Sequence, residues 1–164
     1  MAELDVLRGR VKRPSPWEHG LDCNEIVPGI WQGSKPPRGR AVGTAGFDVL
    51  VLCAAEHQPK PERFPGLKTL VSVPMWDNFD AGPDTLSMAK QAGALLADRW
   101  MSGQNLLITC RMGLNRSGLV TGMTLRRAFP DVEPRKIANR IIMSRLGALS
   151  NPRFHFWVSS SFVS

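Results

Sequence analysis

Apolar residues follow two rhythms along this chain. Compact runs rich in valine, leucine and isoleucine, FDVLVLCAA at 47–55, KTLVSVPM at 68–75 and QNLLITC at 104–110, read as strands, and EIVPGIWQG at 25–33 reads as one or two more, broken at Pro28-Gly29. From residue 85 the period lengthens. Leu86, Ala89, Gly93, Leu96 and Trp100 recur at helical spacing, with Asp84 as the expected N-cap and Gly103 as the stop. Three further helices are predicted: SGLVTGMTLRRAF at 117–129, closed by Pro130; EPRKIANRIIMSRLG at 133–147, ended by Gly147; and NPRFHFWV, from 151 toward the C-terminus. Strands before residue 110 and helices after it predict an α/β fold, a mixed central sheet flanked by helices. Residues 1–25 are basic, proline-containing and without periodicity, so they read as an N-terminal arm on a single domain spanning 26–164.

Between the last strand and the next helix stands TCRMGLNRSG, residues 109–118. A strand-loop-helix passage of this length lets consecutive backbone N–H groups curl toward one point, and the helix adds its positive N-terminal end. Gly113 relieves the backbone in the middle of the turn. The result is a concavity for a tetrahedral oxyanion, so inorganic phosphate or sulfate is expected to occupy it. The backbone N–H groups of Arg111, Met112, Gly113, Leu114 and Asn115 are expected to line it, and Arg116 to grip two nonbridging oxygens with its planar fork. Cys110 lies at the base, where the same amides and the guanidinium favour its thiolate, a nucleophile in line with a bound phosphorus. Ser117 has two compatible uses, as the helix N-cap or as a donor to the sulfur when it becomes the leaving group.

A departing alkoxide or phenoxide needs a proton, and a carboxylic acid can give it and later take one from water. Asp77, at the end of a strand in WDNFDAGPD, is the expected general acid, with Asp80 as its rival and Asp84 reserved for capping. Trp76 and Phe79 beside it are candidates for a cleft wall, whereas Trp31 and Trp157 read as packing residues. Cys23 and Cys53 read as inert thiols, and His19, His57 and His155 show no metal-ligand pattern.

Composition adds little that changes this picture. The 164 residues carry a formal charge of +7, which favours anionic partners. Lys12, Arg13, Arg38, Arg40, Arg126 and Arg127 are the residues that a polynucleotide backbone would use. Three cysteines without a CxxC pair argue against a disulfide framework and a thiolate zinc site. The opening MAELDVLRGRVKR lacks the apolar run of a signal peptide and no later stretch is long enough to span a membrane, so a cytoplasmic chain is expected, with the nucleus open.

These residues resemble the dual-specificity phosphatases of the cysteine-dependent protein tyrosine phosphatase superfamily. That family's signature, Cys-x5-Arg followed by Ser or Thr with a central glycine, is matched by Cys110, Arg116, Ser117 and Gly113. EIVPGIWQGS is similar to its opening strand pair, VPMWDN to its acid loop and NPRFHFWV to its last-helix Asn-x-x-Phe pattern. The resemblance implies the protein tyrosine phosphatase-like fold and hydrolysis of phosphotyrosine and phosphoserine or phosphothreonine in proteins. It implies a phosphocysteine at Cys110, leaving-group protonation by Asp77, and neither metal nor cofactor. Thr109 departs from the family's histidine before the nucleophile, so the thiol's hydrogen bonding is expected from the threonine hydroxyl or is lost. Asn115 before the arginine also resembles superfamily members that remove phosphates from RNA 5′ ends. An RNA 5′-triphosphatase or diphosphatase, a phosphoinositide phosphatase and a non-catalytic phosphate-binding module stay open as alternatives.

Overall fold

The computed structural model describes residues 4, 12–161 and 163. Five strands, β1 (Cys23–Val27), β2 (Ile30–Gly33), β3 (Val49–Ala54), β4 (Thr69–Met75) and β5 (Leu106–Thr109), form one sheet in the order β1-β2-β5-β3-β4. Only β1 runs antiparallel to its neighbour; the β2–β5, β5–β3 and β3–β4 pairs are parallel. The predicted mixed sheet is therefore observed, and its central strands point their C-terminal ends to one edge. There the 110–115 segment leaves β5, and the 55–56 and 76–77 segments leave β3 and β4.

Two faces explain the continuous apolar runs. Along β3, Val49, Val51 and Cys53 enter a core roofed by α2 (Pro83–Met101), α3 (Arg116–Ala128), α4 (Pro134–Ser144) and α5 (Pro152–Ser159). Leu50 and Leu52 face the other way, into a smaller core with Trp31, Phe47, Phe64 and Val42 of the short helix α1 (Ala41–Thr44). The period of two thus sorts one strand between two cores, and a strand buried on both sides has no polar face to show. Trp31 and Trp157, 3% and 6% exposed, are packing residues as expected. Pro74, without an N–H, sits in the edge strand β4, where the pairing with β3 slips between Leu52 and Ala54.

Several local expectations need correction. The long helix begins at Pro83 with Gly82 as its N-cap and no side-chain cap bond, because proline at the first helical position presets φ; Asp84 lies exposed in the first turn. The helix predicted to reach Gly147 stops at Ser144, and Arg145 is already extended (φ −138°, ψ 103°). The first strand starts at Cys23, inside the segment read as an arm, and Pro14, Pro16 and Leu21 of that segment are buried against the domain. The remainder of the arm, residues 1–3 and 5–11, with Arg8 and Arg10 of its basic run, lies outside the described residues. Among the described residues no helix is long and apolar enough to cross a membrane.

Candidate active site

Loop 110–115 joins β5 to α3, and its carbonyls have outside donors. Arg111 O accepts from Lys35 N (3.2 Å), Met112 O from Arg145 Nη2 (3.0 Å), Gly113 O from Gln32 Nε2 (2.9 Å) and Arg145 Nε (2.8 Å), and Leu114 O from Leu149 N (3.1 Å). In a planar trans peptide the N–H of the next residue points opposite to the C=O. Four carbonyls held outward therefore turn the amides of residues 112–115 toward the interior of the loop. None of these amides donates to a protein acceptor among the described residues. Gly113 is required twice, by its left-handed backbone (φ 72°) and because a Cβ there would lie 2.3 Å from the carbonyl carbon of Gly33.

Cys110, 5% exposed, lies in a cavity of about 370 Å³ whose walls are Glu56, Asp77 and the loop side chains through Arg116. Its Sγ is 3.2 Å from Ser117 Oγ, and Ser117 is fully buried. Of the two uses expected for Ser117, the structure retains the contact with sulfur. It does not cap the helix: α3 starts one residue earlier, at Arg116, and its N-cap position is Asn115, without a side-chain cap bond. Thr109 does not reach the thiol, because its hydroxyl donates across the sheet to Val51 O at 2.7 Å. The other two thiols suit the inert reading. Burial pushes Cys53 well above its usual range and Cys23 up to about 12.

Arg116 is 6% exposed and held by a residue the sequence reading missed. Its Nη1 and Nη2 donate to Glu56 Oε2 (2.5 Å) and Oε1 (2.8 Å), and Nη1 also donates to Met75 O (3.2 Å). The hydrogen bonds from Arg116 hold the Glu56 carboxyl at about 2, well below the ordinary carboxylate range. Glu56 occupies the outer edge of the guanidinium, so the fork expected for an oxyanion is the other edge. Nε on that edge is buried without a protein partner among the described residues. The signal for Glu56 was a carboxylate placed two residues beyond the end of the apolar strand β3.

Asp77 also has partners that were not foreseen. Its Oδ2 accepts from Asn115 Nδ2 (3.0 Å) and its Oδ1 from Asn151 Nδ2 (2.8 Å). Asn115, expected to act chiefly through its main chain, also uses its side chain. Its Oδ1 also accepts from Asn151 N (2.8 Å) and Ser150 Oγ (3.2 Å). Asn151 is fully buried and caps α5, accepting from Arg153 N (3.0 Å) and Phe154 N (3.4 Å). Two carboxamides thus tie the segment after β4, the 110–115 loop and α5 together. Asp80 and Asp84 are exposed and form no part of the cavity wall. Trp76 and Phe79, 59% and 73% exposed, stand outside that wall as well.

The basic side chains considered for a polynucleotide are partly committed elsewhere. Arg126 donates to Trp157 O and Ser160 O, both at 2.9 Å, and Arg13 pairs with Glu25 at 2.7 Å. A second cavity, of about 500 Å³, lies along α2 and α3 beside Lys90, Met123 and Arg126, and no cysteine lines it.

Comparison with known proteins places the fold. No family profile and no curated sequence matches the chain. Solved structures do. Human DUSP28 superposes with a TM-score of 0.70 at 22% identity, covering 93% of this chain and 100% of that one. A mouse putative dual specificity phosphatase complexed with zinc tungstate gives 0.67 at 19% identity over 93% and 92%. The human tyrosine phosphatase-like serine/threonine/tyrosine-interacting protein gives 0.67 at 15% identity over 84% and 93%. The chain has the dual-specificity phosphatase fold.

Proposed function

We propose that this chain is a phosphatase that hydrolyses phosphotyrosine and phosphoserine or phosphothreonine in proteins through a phosphocysteine. One observation carries the reading: Cys110 shares a single cavity with a loop whose carbonyls from Arg111 to Leu114 are held by outside donors and with Arg116, whose buried Nε has no protein partner among the described residues. Inward amides and a guanidinium stabilise three equatorial phosphoryl oxygens, and most strongly when charge grows on them in the transition state.

In this scheme Cys110 Sγ forms a bond to phosphorus while the bond from phosphorus to the ester oxygen breaks in line. Asp77 gives its proton to that oxygen as it leaves. Water then attacks the phosphocysteine, Asp77 takes the water's proton, and the sulfur departs with the Ser117 hydroxyl 3.2 Å away to donate to it. Glu56 keeps the guanidinium turned toward the phosphoryl group, and Asn115 and Asn151 hold Asp77 over the cavity mouth.

The charges on the wall favour a phosphomonoester. Beside Arg116 only Arg111 adds positive charge, while Glu56 and Asp77 add negative charge, a balance suited to one dianionic group more than to a polyphosphate chain or an inositol polyphosphate. The test is a substrate panel with chelator-treated protein: aryl phosphate, the three phosphoamino-acid peptides, phosphoinositides and 5′-triphosphorylated RNA. Release of phosphate from the aryl ester and phosphopeptides, abolished in Cys110→Ser and Arg116→Ala, is expected. Preferential release from RNA or phosphoinositide would replace the protein substrate, and no release from any member would leave a phosphate-binding module.

A further inference from the structure

Arg145 stands behind the 110–115 loop, 8% exposed, and directs all five of its N–H donors. Three bonds go to the strand side: Nη2 to Asp22 Oδ2 (2.8 Å), Nη1 to Asp22 Oδ1 (3.3 Å) and Nη1 to Asn24 Oδ1 (2.8 Å). The other two reach the loop, Nε to Gly113 O (2.8 Å) and Nη2 to Met112 O (3.0 Å). A planar guanidinium spreads its donors over three nitrogens and so bridges two carbonyls and a carboxylate; a lysine ammonium has three N–H groups on a single atom and lacks that span.

The two carbonyls it holds belong to the peptides most able to turn. Gly113, with φ 72° and no Cβ, reaches far more backbone conformations than any other loop residue, and the peptides on both sides of it share that freedom. Turning either one would present a carbonyl oxygen to a bound anion in place of an N–H. Gln32 Nε2 holds Gly113 O from a second side, but Met112 O has Arg145 as its one partner among the described residues. The early end of α4 is what makes this reach available, since Arg145 is extended while Ser144 is still helical.

We propose that Arg145 is a positioning residue: it clamps the Met112 and Gly113 carbonyls outward so that the amides of Gly113 and Leu114 face the oxyanion above Cys110. This rests on the reading of the loop as an oxyanion cradle. Asn24 of β1 and Asp22 just before that strand anchor the clamp, and the Arg145 bonds hold the Asp22 carboxyl below its ordinary range.

The experiment measures sodium tungstate binding by calorimetry, thermal unfolding, and kcat and KM for an aryl phosphate, in the full chain and in Arg145→Met, Arg145→Lys and Asp22→Ala. In Arg145→Met, tungstate affinity is expected to fall about 10- to 100-fold, with kcat falling more than KM rises. Arg145→Lys, which keeps the charge without the fork, should not restore either quantity. A folded Arg145→Met that binds tungstate as the wild type does overturns the clamp. Should that variant fail to fold, Asp22→Ala, at a side chain 66% exposed, decides: weaker tungstate binding supports the clamp and unchanged binding overturns it. A wild type that binds tungstate without turning over aryl phosphate removes the enzymatic reading and leaves the clamp to be judged on binding alone. A wild type that binds no tungstate removes both.

Discussion

Glu56 and Arg116, sixty residues apart in the chain, meet through two parallel hydrogen bonds of 2.5 and 2.8 Å. The pair fixes the plane of a buried guanidinium and decides which of its edges faces the cavity. Glu56→Gln should therefore cost about 1–3 kcal/mol of stability, since it leaves Arg116 without its counter-charge. Its kcat with aryl phosphate should fall by at least about tenfold, because the fork loses its orientation. Unfolding curves and steady-state kinetics check both. The pH dependence has a definite sign. The Glu56 carboxyl is lowered from 4.5 to about 2, so its contribution to stability is complete above 4.5 and is lost as pH falls toward 2. The Tm gap between wild type and Glu56→Gln should hold steady from pH 7 to 5 and close below 4.5; a gap independent of pH would remove this account of the pair.

Asp77→Asn should separate substrates by their leaving groups. An aryl phosphate with an acidic phenol needs little protonation, whereas phosphoserine expels an alkoxide that needs it fully. Loss of kcat is expected to be about 10²- to 10⁴-fold on a phosphoserine peptide and markedly smaller on the activated aryl ester. Equal losses on both would assign Asp77 a role in binding instead.

Asn115 and Asn151 should behave as a pair around that carboxylate. Asn115→Ala removes the tether from Asp77 Oδ2 and the acceptor of Asn151 N, and is expected to lower kcat on unactivated substrates with a stability loss of about 1 kcal/mol. Asn151→Ala removes the other tether and also the α5 cap, adding a stability loss of about 1 kcal/mol. In the Asp77→Asn background, Asn115→Ala should have almost no further kinetic effect. An undiminished effect there would show that Asn115 works without Asp77.

Gly113→Ala introduces a Cβ where the Gly33 carbonyl carbon already stands, in a backbone conformation that disfavours any side chain. The loop must move to admit it. Tungstate binding should be lost together with turnover, and stability should drop by about 1–3 kcal/mol. Retained tungstate affinity in the alanine variant would contradict the observed loop geometry.

The legible part of this site was the contiguous part. TCRMGLNRSG encodes its own strand end, turn and helix start, so Cys110, Gly113 and Arg116 could be read without knowing the fold. Glu56, Arg145 and Asn151 act across separations of 32 to 74 positions, and nothing in their local sequence names a partner; only the parallel sheet brings β3 and β5 side by side. The use of the Asn115 side chain was missed for the same reason, since a side chain inside a loop finds such partners only when Asp77 and Asn151 arrive from elsewhere. The sheet was recognisable from its apolar runs, and its two-sided burial explains why they lacked alternation. Helix ends were less so. Asp84 is a good capping residue by type, but Pro83 beside it fixes an earlier start, and Arg145 leaves the helical path before the expected glycine stop, which lets its guanidinium reach the loop.

Transfer of phosphorus to sulfur is the proposed step on which every kinetic outcome above depends. Acid quench of the wild-type protein mixed with an aryl phosphate, followed by peptide mass analysis, measures it directly. A phosphoryl group on the peptide containing Cys110, absent from Cys110→Ser, is the predicted result, and Ser117→Ala should raise its level by slowing the departure of sulfur. Phosphate release that continues in Cys110→Ser, or turnover in which Cys110 never carries a phosphoryl group, would contradict it.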